Sequence, residues 1–306
     1  MIEKSSIFLT GGSGLLAVNW LYSRRKDYSI YLGLNERNIY PKDGHVIFVD
    51  FDSVDGFINQ LKSINPSVVI HTAGLTSVEK CDSNPELAYQ INVELSNLVA
   101  LATTKLNIPL VHISTDHLFD GSSSMLVEDE PTSPINIYGE TKALAEKSIM
   151  QINPNALIIR TNFYAWGTSY RQSFSDYIIN SLRHKQFLSL FDDVYYTPIL
   201  AEDLIESVHE LLEKKAKGIF NIVSDDRVSK YDFGILIAEE FGLDKSLIQR
   251  SSFMDRSNLI RRPLDMSLSN QKVEDFLGRN LGTVKQHIAK LHQQELEGIN
   301  KEIQLL

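Results

Sequence analysis

One cysteine, Cys81, is all that 306 residues contain. A lone thiol cannot close an internal disulfide, which suits a reducing compartment. Basic residues are in deficit as well: 30 Lys and Arg face 39 Asp and Glu, for a formal charge of -9. That balance argues against a broad surface for a phosphate backbone, so no nucleic-acid partner is expected; one local basic pocket for a small anion is compatible with it. Long apolar runs are missing too. None reaches membrane-spanning length, and the apolar core of "MIEKSSIFLTGG" is too short for a signal peptide, so no membrane partner is expected. The eight histidines show neither H-x-x-x-H nor Cys/His spacing, and no metal site is expected. Internal repeats and low-complexity linkers are absent. What remains is an ordinary globular composition, 43% hydrophobic and 23% charged, in a chain long enough for one large α/β domain or two smaller ones. The expectation is a cytoplasmic protein.

Short runs rich in Val, Ile and Phe recur through the first half: "SIFLT", "SIYLGL", "HVIFVDF", "SVVIHTAG", "PLVHIST" and "ALIIRTN". Turn residues bound each one, and helical patterns such as "GFINQLKSI" and "PELAYQINVELSNLVALATTKL" lie between them. Strands alternating with helices predict βαβ units, hence an α/β fold with a doubly wound parallel sheet of the Rossmann type. Continuous apolarity suits strands buried on both faces. Beyond about Asn162 the alternation breaks down into helical "FSDYIINSLRH", "AEDLIESVHELLEKKA" and "KYDFGILIAEEFG", with "GIFNIVS" strand-like. The reading is a nucleotide-binding domain over residues 1–162, to which segments near 194–224 return, and a smaller mixed α/β region over 163–306 that mainly binds substrate. The tail "TVKQHIAKLHQQELEGINKEIQ" spaces Val284, Ile288 and Leu291 on one helical face, which can cover its own domain or form an oligomer contact.

"IFLTGGSGLLA" follows the first strand and opens a helix. Gly12, Gly14 and Ala17 satisfy G-x-G-x-x-A, and Gly11, Gly14 and Ala17 satisfy G-x-x-G-x-x-A. Glycines there permit a tight turn and close backbone approach to a pyrophosphate, and the helix N-terminus adds amide donors and positive partial charge. Gly11, Gly12, Ser13, Gly14 and Leu15 are therefore candidates for holding a dinucleotide. An acid at the end of the second strand selects NAD, whereas an arginine accommodates the extra phosphate of NADP. Here "GLNERN" offers Asn35, then Glu36 and Arg37, and the reading favours NADP(H) through Arg37 with NAD(H) left open. In "FVDFD", Asp50 with Phe51 closes the third strand, where a carboxylate can accept from the adenine amino group; a plain loop aspartate fits equally.

"SPINIYGETKALAEKS" places Tyr138 four residues ahead of Lys142, on one face at the mouth of a helix. A close cation favours the phenolate and lowers a tyrosine's ordinary value near ~10, which makes it a general acid. The pair alone is also compatible with an unremarkable exposed helix start.

With "TGGSGLLA", "VVIHTAGLTSVEKCDSNPELAYQIN", "HISTDHLFDG", "SPINIYGETKALAE", "RTNFYAWG", "YYTPILAEDL" and "RRPLDMSLSN" in this order, the chain resembles the extended short-chain dehydrogenase/reductase superfamily. Within it, the chain is most similar to the dTDP-4-dehydrorhamnose reductase-like branch of sugar-nucleotide enzymes. The resemblance implies that Thr115 holds the substrate oxygen, Tyr138 gives it a proton, and Lys142 binds the nicotinamide ribose while keeping the tyrosine's pKa low. It places Ala73 and Gly74 along the cofactor, with Thr161, Asn162 and Phe163 bordering nicotinamide and substrate beside Asp116 and His117. Asn92 faces this region in relatives, or is a plain helix-surface amide. Of Arg261 and Arg262, the second is favoured to clamp the diphosphate of a nucleotide-sugar substrate. A magnesium-linked dimer of some relatives uses an acid where Val18-Asn19 stands here; a homodimer stays open.

Related 4,6-dehydratases read Thr-Asp-Glu where this chain has Thr115-Asp116-His117, and the epimerase-reductases that make GDP-fucose place a cysteine where Asp116 stands. Three functions survive. The first is reduction of a nucleotide-linked 4-keto-6-deoxy sugar, the second is 4-epimerisation with retained NAD, and the third is a non-catalytic role like that of the regulatory subunit of methionine adenosyltransferase.

Overall fold

The computed structural model describes residues 4–256 and 259–306. Met1–Glu3, the head of the N-terminal stretch read above, lie outside them. Seven strands, β1 (Ser6–Thr10), β2 (Ser29–Leu34), β3 (His45–Phe48), β4 (Val68–His71), β5 (Leu110–Ile113), β6 (Leu157–Arg160) and β7 (Gly218–Asn221), form one sheet. Their order is β7-β6-β5-β4-β1-β2-β3, and every neighbouring pair is parallel. The principal helices are α1 (Leu15–Arg24), α2 (Val54–Ile64), α3 (Leu95–Leu106), α4 (Ile137–Ile152), α5 (Phe174–Arg183), α6 (Ala201–Glu213), α7 (Lys230–Glu240) and α8 (Val284–Leu296).

Alternation along β1 seals the sheet from both sides. Ile7 and Leu9 join Trp20 and Leu21 of α1 and Leu204 and Val208 of α6. Phe8 turns the other way, onto Phe57 and Leu61 of α2, Val99 of α3 and Ile149 of α4. The doubly wound parallel sheet expected from the strand-helix alternation is thus formed. One strand is shorter than its apolar run: β3, at the edge of the sheet, stops at Phe48, so Asp50 stands two residues beyond the strand.

After β6 the described residues build three small two-stranded sheets. Phe163–Tyr164 pairs with Ile199–Leu200, Tyr195–Tyr196 with Val228–Ser229, and Leu188–Phe191 with Ile248–Ser251. Elements of two residues are too short to leave a periodic signal. Between them, β7 rejoins the main sheet beside β6. The tail is α8 followed by Ile299–Gln304, broken at Gly298 (φ +81°). Val284, Ile288 and Leu291 are buried within the chain's own core. The long helical run before β5 is also interrupted. Pro85–Tyr89 passes through a π-helical turn, Gln90–Glu94, before α3, and this turn buries Asn92. No helix among the described residues is long and apolar enough to cross a membrane.

Candidate active site

Strand order reverses between β1 and β4, and a cleft of about 260 Å³ opens there beyond the strands' carboxyl ends. Open α/β sheets bind ligands at such a switch point. The end of the glycine loop, Gly14 with Leu15 and Leu16, forms one wall. Gly12 donates to the Gly33 carbonyl and Gly14 to the Gly11 carbonyl, each at 2.8 Å. Gly11 has φ +65°, and a Cβ on it would lie 2.8 Å from the Ala73 Cα; one on Gly12 would lie 2.7 Å from Leu32. Hydrogen side chains therefore let the loop press against β2 and against the Ala73-Gly74 turn after β4. Gly14 caps α1 without a side-chain bond, so the first-turn amides of α1 open toward the cleft beside Leu15 and Leu16.

The opposite wall is carried by the end of β5 and the start of α4. Asn136 caps α4, its Oδ1 accepting from the Gly139 amide at 2.9 Å, while its Nδ2 donates to the Arg261 carbonyl at 3.1 Å. A Cβ on Gly139 would lie 2.2 Å from the His117 carbonyl oxygen. This bare point is what lets the helix carrying Tyr138 come down on the Thr115–His117 loop. Thr115, Asp116, Tyr138 and Lys142 are all buried and line the cleft, except that the first two also carry one another: the Thr115 hydroxyl donates to Asp116 Oδ1 at 3.3 Å. Asp116 Oδ2 accepts from Asn162 Nδ2 at 2.6 Å. His117 meets Tyr138 edge to face at 5.4 Å.

Electrostatics here are set by burial. The Tyr138 phenol is pushed up to about 12, chiefly by burial, with Asp116 acting the same way and the Thr115 hydrogen bond and Arg171 opposing. Lys142 is not among the largest influences on it. Its ammonium instead donates to the Ile113 carbonyl at 2.8 Å and to His112 Nε2 at 3.1 Å, and burial pushes it down to about 8. His117 is lowered by burial, with Lys230 and Arg262 adding to the effect against Asp116.

Ala73, Gly74, Thr161, Asn162 and Phe163 also line the cleft. Asn92 is no surface amide: it accepts from the Leu75 amide at 2.8 Å and donates to the Leu75 carbonyl and to Thr141, pinning the loop after β4 to α4. Gly11, Gly12, Ser13, Asn35, Arg37, Asp50, Phe51 and Arg262 lie outside the lining. Asp50 accepts from the Asp52 amide, and Phe51 packs on Phe57. Arg37 is exposed and stacks at 4.3 Å on Tyr170, whose hydroxyl donates to the Ser13 carbonyl of the glycine loop at 2.8 Å. Arg262 pairs with Glu79, and its Nε is buried without a partner among the described residues.

Two residues escaped the sequence reading. Arg171 lines the cleft and donates to Thr76 at 3.0 Å. Lys230, the first residue of α7, sits 3.2 Å from the Tyr196 ring centroid and is pushed down to about 7 by burial, with Asp116 opposing and Arg262 assisting. A signal existed: a lysine at a helix N-terminus faces the positive end of the dipole and calls for a compensating environment.

The cradle fits a dinucleotide. Gly14 leaves backbone against the cleft while Gly11 and Gly12 pack on Ala73 and Leu32 behind it, and the hydroxyls of Ser114 and Thr161 are buried there with no partner among the described residues. A Rossmann sheet with this loop at its switch point, faced by a buried Thr-Tyr-Lys set, defines an extended short-chain dehydrogenase/reductase of the dTDP-4-dehydrorhamnose reductase-like kind. The chain belongs to the family described as RmlD substrate binding domain, whose profile matches residues 5–296. It is 32% identical to the probable low-salt glycan biosynthesis reductase Agl14 of Haloferax volcanii, over 93% of this chain and 96% of that one. It is also 26% identical to methionine adenosyltransferase 2 subunit beta of Rattus norvegicus, over 80% of this chain and 75% of the relative. Its fold matches a dTDP-4-dehydrorhamnose reductase from Bacillus anthracis, solved in complex with NADP, with a TM-score of 0.84 at 21% identity, over 95% and 99% of the two chains.

Proposed function

We propose that this chain reduces a nucleotide-linked 4-keto-6-deoxy sugar, with Tyr138 as the proton donor. The observation that carries the proposal is the convergence of Thr115, Tyr138 and Lys142 on the wall facing the glycine loop. A reduced nicotinamide bound in the cradle supplies the hydride. The loop from Gly11 to Leu15 would hold the pyrophosphate, and Lys142 the nicotinamide ribose. A phenol raised to about 12 keeps its proton at neutral pH and can give it to the carbonyl oxygen as that oxygen gains charge. The Thr115 bond to Asp116, at 3.3 Å, is long for O–H···O, so the hydroxyl can turn to a substrate oxygen at little cost. Residues from 163 onward supply most of the sugar-nucleotide pocket in this reading, and Arg262, beside His117 and Lys230, would meet the diphosphate.

The reaction is expected to consume a 4-keto sugar and not to make one. Dehydration needs an acid-base pair beyond tyrosine, and Thr115-Asp116-His117 carries no glutamate. With reduced cofactor and a dTDP-4-keto-6-deoxy sugar, stoichiometric cofactor oxidation is expected. With the parent hexose nucleotide and oxidised cofactor, no 4-keto product should form. A 4-keto product in the second incubation would sink the reductase reading. No turnover in either, with tight binding of a protein partner, would favour the non-catalytic role suggested by the likeness to the adenosyltransferase subunit.

Cofactor choice is proposed to lean to NADPH through Arg37, held over the glycine loop by Tyr170. Arg37→Ala should weaken NADPH about tenfold, the order of one charge-assisted contact, and leave NADH nearly unchanged. Titrating both cofactors against both proteins decides it: equal losses, or tighter NADH binding by the parent, would reverse the assignment.

A further inference from the structure

Behind the catalytic wall lies a pair of histidines that the proposed mechanism leaves idle. His71 of β4 and His112 of β5 are buried side by side, their ring centroids 5.3 Å apart. His71 is fully used. The Ser96 hydroxyl gives its single proton to the Asn92 carbonyl at 2.7 Å, so it can only accept from His71 Nε2, 3.0 Å away. His71 Nδ1 then accepts from the Thr10 hydroxyl at 2.7 Å. His112 is different. Its Nε2 lies 3.1 Å from Lys142 Nζ, and its Nδ1 has no partner among the described residues.

An ammonium has three donors and no acceptor. The Ile113 carbonyl takes one of Lys142's protons and the His112 Nε2 lone pair takes the second. The third remains for the cleft that Lys142 lines. Accepting on Nε2 puts the His112 proton on Nδ1, where it stays unpaired, an unfavourable arrangement that an apolar residue of similar size would avoid. We propose that His112 is a positioning residue: its Nε2 lone pair and the Ile113 carbonyl aim the Lys142 ammonium so that the third N–H faces the cofactor. The assignment rests on the reading of Lys142 as the holder of the nicotinamide ribose.

The titratable and charged groups around Lys142 are His112 on β5, His71 on β4, and Tyr138 and Glu146 on α4 itself. Arg160 of β6 binds Glu146 at 2.8 Å, and Asp116, just past β5, acts on Tyr138. Burial lowers Lys142 and Glu146 opposes it. His112 is held well below its ordinary value by burial and by Lys142, so it stays a neutral acceptor. The donating form is the protonated one. Lysine-dependent cofactor binding is therefore present below the Lys142 pKa and lost as pH rises through it, and removing an acceptor lowers that pKa.

His112→Leu deletes the acceptor and His112→Gln keeps one on Oε1. With NADPH and NADH as probes, affinity is measured by nicotinamide fluorescence from neutral to alkaline pH. In His112→Leu the alkaline loss should begin about one pH unit earlier than in the parent, the size expected for one hydrogen bond to a charged group, and His112→Gln should stay near the parent. A merely structural role would lower the melting temperature and leave the limb in place. An unmoved limb in His112→Leu, or an equal shift in His112→Gln, overturns the inference alone. Imidazole ¹⁵N shifts on the unsubstituted protein give a second readout should the leucine variant not fold. The Nδ1–H tautomer of His112 is expected, and the Nε2–H tautomer overturns the inference. Parent-like cofactor affinity in Lys142→Met would overturn the reading of Lys142, and this inference with it.

Discussion

Tyr138→Phe is expected to fold and bind cofactor like the parent and to lose about 10²- to 10⁴-fold in turnover, the usual cost of removing a positioned general acid. The phenol is buried and its ring is held by contacts that phenylalanine keeps, including the edge of His117. Only the hydroxyl is lost, and with it the proton for the carbonyl oxygen. Burial keeps that proton in place through neutral pH, since the phenol titrates only near 12. Steady-state rates on a 4-keto sugar nucleotide, beside a cofactor titration, make the check. Turnover within a few fold of the parent would take Tyr138 out of the mechanism.

Gly139→Ala should be nearly as damaging by a different route. The added methyl would stand 2.2 Å from the His117 carbonyl oxygen and 3.0 Å from Pro134 Cβ. Neither neighbour is the far end of a flexible chain, so α4 and the Thr115–His117 loop must separate. Forcing a methyl into such a contact costs about 1–3 kcal/mol, and the separation pulls Tyr138 away from Thr115. Small displacements of reacting groups can cost about 10²-fold in rate. The denaturation midpoint and turnover should fall together; if both held, the loop would be shown free to retreat.

Much of this was legible beforehand because the physics is local. Strands buried on both faces must be continuously apolar, and β1, β2, β4, β5 and β6 announce themselves that way. The glycine loop was equally readable, since Gly11 and Gly12 answer to close backbone contacts that no other residue permits. The pKa of Tyr138 was not. Helical spacing puts Lys142 on its face, but two acceptors from β5 draw the ammonium away, and burial then governs the phenol. Lys230 and Arg171 were hidden for a related reason. Both residues lie beyond β6, and their surroundings join segments far apart in sequence, Thr76 for Arg171 and Asp116 and Tyr196 for Lys230, which no period records.

The place of β7 has a consequence for how the protein is made. Its pairing with β6 means that the sheet under the glycine loop is finished only when Asn221 has left the ribosome. Until then β6 offers an unpaired parallel edge, the kind of surface that recruits wrong partners. The intervening sixty or so residues must emerge while that edge waits, so the vulnerable interval falls in the middle of synthesis, after every proposed catalytic residue has been translated.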